Sequence, residues 1–391
     1  MNEHIGERVR YWRRRRGGMS QRTLAGLAGV SQGFISQVET GVQSIDRRST
    51  LVALAAALQI TVADLIGEPG DPTDPNRAQA ARSVPDIRLA LAEVDAQDAG
   101  PASRSQDEVR AVLAQADAFR VACDYARSGP ILPGLLRDAA SHEPALRGEV
   151  LHQVATFLRS VGYRDLAWRA SDMALSAARE AEDMTLLGAV QFARLKCLPP
   201  EASGVIARQA RRTYEELQPH TADPGVRRGY GALHLMAAFV EASANDTGNI
   251  QAHLDEARAE ADTLGEPAYA GGLTMAFGPT NVGLWAMGSA LELAEHHRVV
   301  EIAKTVDPDG VPNANRQSTY WLDYGRALAH LGRDHEAIGA LARAESKAPQ
   351  HVKMLPAARS TVASMIGRAR HRAVADDLRR LADKMGLAST G

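Results

Sequence analysis

Gln32 and Gln37 carry the side chains of this chain best suited to reading a nucleic acid. A glutamine amide offers a donor and an acceptor together, the pair that an adenine edge presents in the major groove. Phe34, between them, could rest on a thymine methyl or pack inward, and the sequence leaves both open. Gln21 and Arg22 open the preceding helical stretch, where a helix N-terminus adds partial positive charge toward a phosphate. Thr40, Arg47 and Arg48 lie in or after the next loop and are further phosphate candidates. Ser31, Gly33 and Ser36 complete the DNA-facing set, although Gly33 offers no side chain for readout.

Chemistry of other kinds is not indicated. No His-Glu-x-x-His, P-loop or strand-associated Gly-x-Gly-x-x-Gly occurs, and Gly271, Gly272, Gly278 and Gly283 follow no predicted strand. His296 and His297 are adjacent on a helical stretch and face different ways, which argues against a shared metal. Cys123 and Cys197 are expected as reduced, buried or half-buried thiols. Neither catalysis nor a cofactor is expected.

The elements that must position the glutamines lie in Ser20–Gly41. Ser20 and Ser31 suit helix N-caps, and Gly29 suits the left-handed residue that ends the first helix. Leu24, Leu27 and Ala28 share one helical face, as nearly do Phe34, Ile35 and Val38. Helix, glycine turn and capped helix is the plan of a DNA-binding helix-turn-helix.

Residues Ile5–Gly67 resemble the Cro/phage-repressor, or xenobiotic-response-element, family. The resemblance rests on Arg8, Val9, Arg13 and Gly17; on Ser20, Gln21, Leu24 and Ala25; and on Gly29, Val30, Ser31, Ile35, Ser36, Glu39 and Gly41. It continues through Leu51, Leu54, Ala55, Leu58, Val62 and Leu65. Gly17–Gly18 stands where the family usually has one glycine, which implies a longer first loop. The family also implies that Arg13 pairs with Glu39 and fixes the angle of the recognition helix.

Charge supports a division. Residues 1–66 hold nine arginines, no lysine and five acids, a net +4, which leaves −6 for the rest of a chain of net −2. A basic head on an acidic body suits a DNA-binding module joined to something else. Arg10, Arg14, Arg15 and Arg16 on the outer face of the first helix would add phosphate attraction. The ten residues 67–76, with three prolines, two glycines and three acids, read as a linker. The expected domains are therefore 1–66, a linker at 67–76, and 77–391. No apolar run is long enough to span a membrane and no export signal is seen, so a cytoplasmic protein is expected.

The body reads as helical throughout, including Val84–Val94 and Ser105–Arg127. In Ser318–His351, Trp321, Tyr324, Gly325, Leu328, Gly332, Ala337, Leu341, Ala344 and Pro349 fall on tetratricopeptide spacing. Gly148–Ala181 is a weaker copy, and Thr185–Gln218, Val226–Leu264 and Pro279–Val306 read as further helix pairs. The expected fold is all-α, a five-helix repressor-type head followed by a tetratricopeptide-like solenoid. Such an array presents a concave groove. Groove-facing candidates are His152, Gln153, Thr156 and Arg159, and later Thr319, Asp323, Arg326 and His330. The stretch Phe277–Val282 resembles stretches in long actinobacterial members of this regulator family; Thr280 or Asn281 could cap a helix, and Asn281 and Trp285 could line the groove.

The resemblance to peptide-responsive regulators implies a homodimer on a palindromic duplex operator, with a peptide or small-molecule effector in the groove. The alternative is a DNA-tethered protein–protein scaffold with no small ligand.

Overall fold

The computed structural model describes residues 5–66, 81–269, 271–369 and 372–385. The expected linker at 67–76 lies outside the described residues. These are all-α, with no strand among them.

Five helices make the head: α1 (Ile5–Arg15), α2 (Gln21–Ala28), α3 (Gln32–Glu39), α4 (Arg48–Leu58) and α5 (Val62–Ile66). Ser20 Oγ accepts from the Thr23 amide and Ser31 Oγ from the Phe34 amide, each at 3.0 Å, so α2 and α3 start where their caps dictate. Gly29 ends α2 at φ +66°, and Gly17 and Gly18 turn the first loop at φ +68° and +70°. Val9, Leu24, Ile35, Leu54, Leu58 and Leu65 are fully buried in one small core. Leu27 departs from the expected buried face of α2 and is 61 % exposed. Leu24, Ala25 and Ala28 fill the inner stripe of so short a helix, and Leu27 turns away from it.

The body begins with α6 (Val84–Asp95), α7 (Gln106–Val121), α8 (Tyr125–Ser128) and α9 (Leu132–Ala139). The helix expected through Arg127 breaks after Val121, because Cys123 takes a left-handed conformation and Asp124 caps α8 by accepting the Arg127 amide. Helical hairpins follow: α10 (Pro144–Ser160) with α11 (Arg164–Glu180), α12 (Met184–Leu195) with α13 (Ser203–Leu217), and α14 (Pro224–Ala244) with α15 (Ile250–Leu264). Then come α16 (Pro279–Glu292) with α17 (His296–Thr305), α18 (Ala314–His330) with α19 (Asp334–Lys347), the short α20 (Pro349–Met354), and α21 (Pro356–Arg368) with α22 (Arg372–Lys384).

The first helix of each hairpin packs on the first helix of the next, so the pairs stack into one curved array. Two continuous apolar cores run through it. Where α12 crosses α14, Gly188 and Gly229 bring the backbones together; a Cβ on either would lie 3.0 Å from the other's Cα. The curvature returns the array toward its start: the Gln350 side-chain oxygen accepts from the Tyr125 amide at 3.2 Å, and His351 Nδ1 lies 3.3 Å from the Tyr125 hydroxyl. Among the described residues no helix is long and apolar enough to cross a membrane.

Candidate nucleic-acid interface and helical groove

Glu39 locks α3 to the rest of the head. Its carboxylate accepts Arg13 Nε at 2.6 Å and Nη2 at 2.8 Å, and Gln21 Nε2 donates to it at 2.9 Å. Burial opposes the Glu39 charge, but the Arg13 and Gln21 hydrogen bonds outweigh it and hold the carboxyl below its usual range. Arg13 also donates to the Met19 carbonyl, so one guanidinium joins α1, the following loop and α3.

With α3 held, Ser31, Gln32, Gly33, Gln37 and Thr40 are exposed, as is Arg22 on α2. Gln32 Nε2 donates to Gln21 Oε1 at 3.2 Å, which sets the two amides side by side at the start of the helix pair. Ser36 is half-buried. Phe34 is also half-buried and packs on the edge of the head core. On α1, Arg10 and Arg14 are exposed, Arg15 bonds Tyr11, and Arg16 donates to the Leu58 carbonyl at 2.8 Å. Arg16 therefore ties α1 to the end of α4.

Arg47 and Arg48 are held by the body. Arg47 donates to the Glu292 carbonyl at 2.9 Å and to Asn245 Oδ1 at 2.8 Å. The Arg48 backbone N–H donates to Glu292 Oε2 at 2.8 Å, its guanidinium lies 3.4 Å from Glu292 Oε1, and it stacks 4.4 Å from the Phe239 ring centre. Glu201 on the body accepts the Val62 amide at 2.9 Å. Asp46, in the loop before α4, meets His330 and Arg326. Burial disfavours the Asp46 charge, yet the His330 hydrogen bond and the Arg326 field hold its carboxyl well below the usual range.

The groove candidates divide between two places. Asp323 pairs with Arg326 at 3.0 Å, and Arg326 and His330 face the head at Asp46. His152 and Gln153 are buried inside the array; Gln153 Oε1 accepts Arg120 Nε at 2.8 Å, while Gln153 Nε2 and His152 Nδ1 have no partner among the described residues. Burial, with the Arg120 field added, pushes the His152 imidazole down to about 4. Thr156 and Thr319 each bond a backbone carbonyl of their own helix. Arg159 is partly exposed, with an unpartnered Nε. Trp285 packs between Phe192 and Phe239. Asn281 is 2 % exposed and its Oδ1 has no partner among the described residues. Neither Thr280 nor Asn281 caps α16 with its side chain: Gly278 occupies the cap position and Glu266 accepts the Thr280 amide at 2.6 Å.

Sequence reasoning passed over Glu292, Glu201, Asn245 and Phe239, which bind the head, and Lys196, Arg316 and His351 inside the array. A glutamate closing the apolar helix Pro279–Glu292 is the one signal that could have marked the head contact. Among the described residues no group of His, Cys, Asp or Glu is arranged to hold a metal, and both cysteines are free and buried.

A family model described as a helix-turn-helix domain matches residues 4–65, the five-helix head. No curated protein and no solved structure matches the chain. The match supports a DNA-binding head and, for the chain as a whole, a DNA-binding regulator.

Proposed function

We propose that this chain is a sequence-specific transcriptional regulator, with residues 1–66 binding a palindromic operator and residues 77–391 forming a tetratricopeptide-like domain that dimerises and responds to an effector. The observation that carries the reading is the exposed Gln32–Gln37 face of α3, set by the Arg13–Glu39 pair while the body holds the head through the Asp46–Arg48 segment and the start of α5. Gln32 and Gln37 then read bases. Gln21, Arg22, Ser31, Ser36 and Thr40 serve phosphates and the helix ends, with Gly33 allowing close approach. Arg47 and Arg48 serve the body contact in this arrangement.

One head covers too short a stretch to define an operator, so two heads related by a two-fold axis, about one DNA turn apart, complete the reading. Because the body grips the head at α4 and α5, a ligand that changes the body's curvature changes head placement. The cytoplasm is the compartment for such a protein. Genome-wide immunoprecipitation of the full chain tests the proposal: discrete sites containing inverted repeats support it, and uniform low occupancy opposes it.

A further inference from the structure

Contacts and mutual fields link side chains from six separated helical segments of the curved array: Arg120 near the end of α7 to Gln153 on α10, Lys196 just after α12 to Trp285 on α16, and Arg316 on α18 through Asn315 to His351 on α20, with Arg159 on α10 acting on Lys196, Arg316 and His351. Asp117 is taken by Arg120 and by the Tyr269 hydroxyl at 2.6 Å, and Asp323 is taken by Arg326. That leaves Arg159, Lys196 and Arg316 without an ion-pair partner among the described residues, each partly exposed and each within electrostatic reach of the others. The Asp323 carboxylate still acts on Arg316 and Arg120 on Arg159 and Lys196, but the groups in direct contact with Lys196 and Arg316 are neutral. Lys196 Nζ lies 4.8 Å from the Phe192 ring centre and 5.6 Å from that of Trp285, and Arg316 donates to Asn315 Oδ1 at 2.9 Å. The Asn315 amide in turn sits 2.8 Å from His351 Nε2.

Gathering three like charges when the carboxylate that acts on Arg316, Asp323, is already paired to Arg326 is costly unless something anionic completes the site. The cost is visible in the groups themselves. Burial first, then the Arg159 and Arg316 fields, push the Lys196 ammonium well below its usual range. Burial and the same cations push His351 down to about 3, and burial with the Arg159 field lowers Arg316 to about 10. Gln153, 2 % exposed with an unpartnered Nε2 donor beside Arg120, adds a second kind of unmet polar demand.

We propose that the interior of the array is a binding site for a small molecule carrying at least two oxyanion groups, carboxylate or phosphate, held by Arg159, Lys196 and Arg316 with an apolar portion against Trp285. The site rests on the sensing role proposed above and gives its effector a chemical class. Guanidinium forks and an ammonium together suit a polyanion better than a neutral peptide backbone.

The test is calorimetric titration of the full chain, without DNA, with pyrophosphate and separately with citrate, using sodium chloride of matched ionic strength as the control. The expected result is saturable one-site binding of at least one anion, weakened tenfold or more in both Lys196→Met and Arg159→Gln and unchanged in the surface variant Arg211→Gln. The relative response to the two anions tells phosphate from carboxylate. A melting curve taken without anion covers misfolding: Lys196→Met is expected to melt higher than the wild type, because a half-buried charge with no ion-pair partner among the described residues is removed. No saturable heat with either anion, or binding indifferent to both substitutions, overturns the site. Operator affinity measured with and without saturating anion is read separately: an anion that binds without moving it contradicts the sensing role and leaves the site standing.

Discussion

Glu292 on the body caps the head helix that begins at Arg48: its Oε2 accepts the Arg48 amide at 2.8 Å while its Oε1 faces the Arg48 guanidinium at 3.4 Å. Arg47, the cap residue of α4, offers no side-chain acceptor of its own, so the helix start is completed from 244 residues away. Removing that acceptor should free the first turn of α4, at about 1 kcal/mol for the lost cap. In Glu292→Ala, amide hydrogen exchange at residues 48–51 is expected to speed up about fivefold, with Glu292→Gln in between. Exchange unchanged in both variants would show that the head does not rest on this contact in solution.

The Arg13–Glu39 pair makes a sharper demand. Its partners are 12 % and 3 % exposed, so breaking it leaves one charge enclosed and unpaired. Arg13→Ala is expected to destabilise the head by about 3 kcal/mol and to weaken binding to every duplex through the loosened α3. Chemical denaturation followed at Trp12, which packs against the head core, reads the stability directly. A loss under about 0.5 kcal/mol would reduce the pair to the value of a surface contact.

Stability should fall on acidification. Burial holds His152, His234 and His296 down to about 4 and His351 down to about 3, against about 6.5 in an unfolded chain. Below pH 6.5 the unfolded state takes up protons that the folded state refuses, so the equilibrium moves toward unfolding until the folded groups titrate near pH 4. Melting temperatures from pH 7.5 to 4.5 should decline steadily. His234→Gln should flatten the slope by about one proton, near 1.4 kcal/mol per pH unit at most. A profile flat over that range would contradict the burial of these rings.

Salt dependence separates the arginines. Arg22 is exposed beside the recognition helix, whereas Arg47 is spent on Glu292 and Asn245. Arg22→Ala should weaken binding to all duplexes and reduce the slope of log affinity against log salt by about 1. Arg47→Ala should leave that slope unchanged while loosening the head. The reverse pattern would mean that the head leaves the body when DNA binds.

Local signals carried well from the sequence. Ser20, Gly29 and Ser31 mark helix ends through their own short-range chemistry, and the structure shows the Ser20 and Ser31 caps and the left-handed Gly29. Hairpin periodicity likewise placed the pairs now seen at Met184–Leu217, Pro224–Leu264 and Pro279–Thr305. Leu27 misled because an eight-residue helix has room for only one inward stripe, and spacing alone admits two. The contacts of Asp46, Arg47 and Arg48 were illegible, since each depends on a partner about 200 to 290 residues away. The same is true of Lys196 and Arg316, ordinary surface cations by local pattern, which come within each other's fields only when the array curves.

The central claim is that α3 reads DNA sequence through Gln32 and Gln37, and selection of bound duplexes from a random pool tests it most directly. The full chain should enrich an inverted repeat with half-sites about one helical turn apart, and each glutamine should govern one or two positions worth about 1–3 kcal/mol each. With Gln32→Ala/Gln37→Ala, preference at those positions should collapse while weak, salt-sensitive binding persists. No enriched sequence with the wild type, or the same motif enriched by the double variant, would contradict the claim.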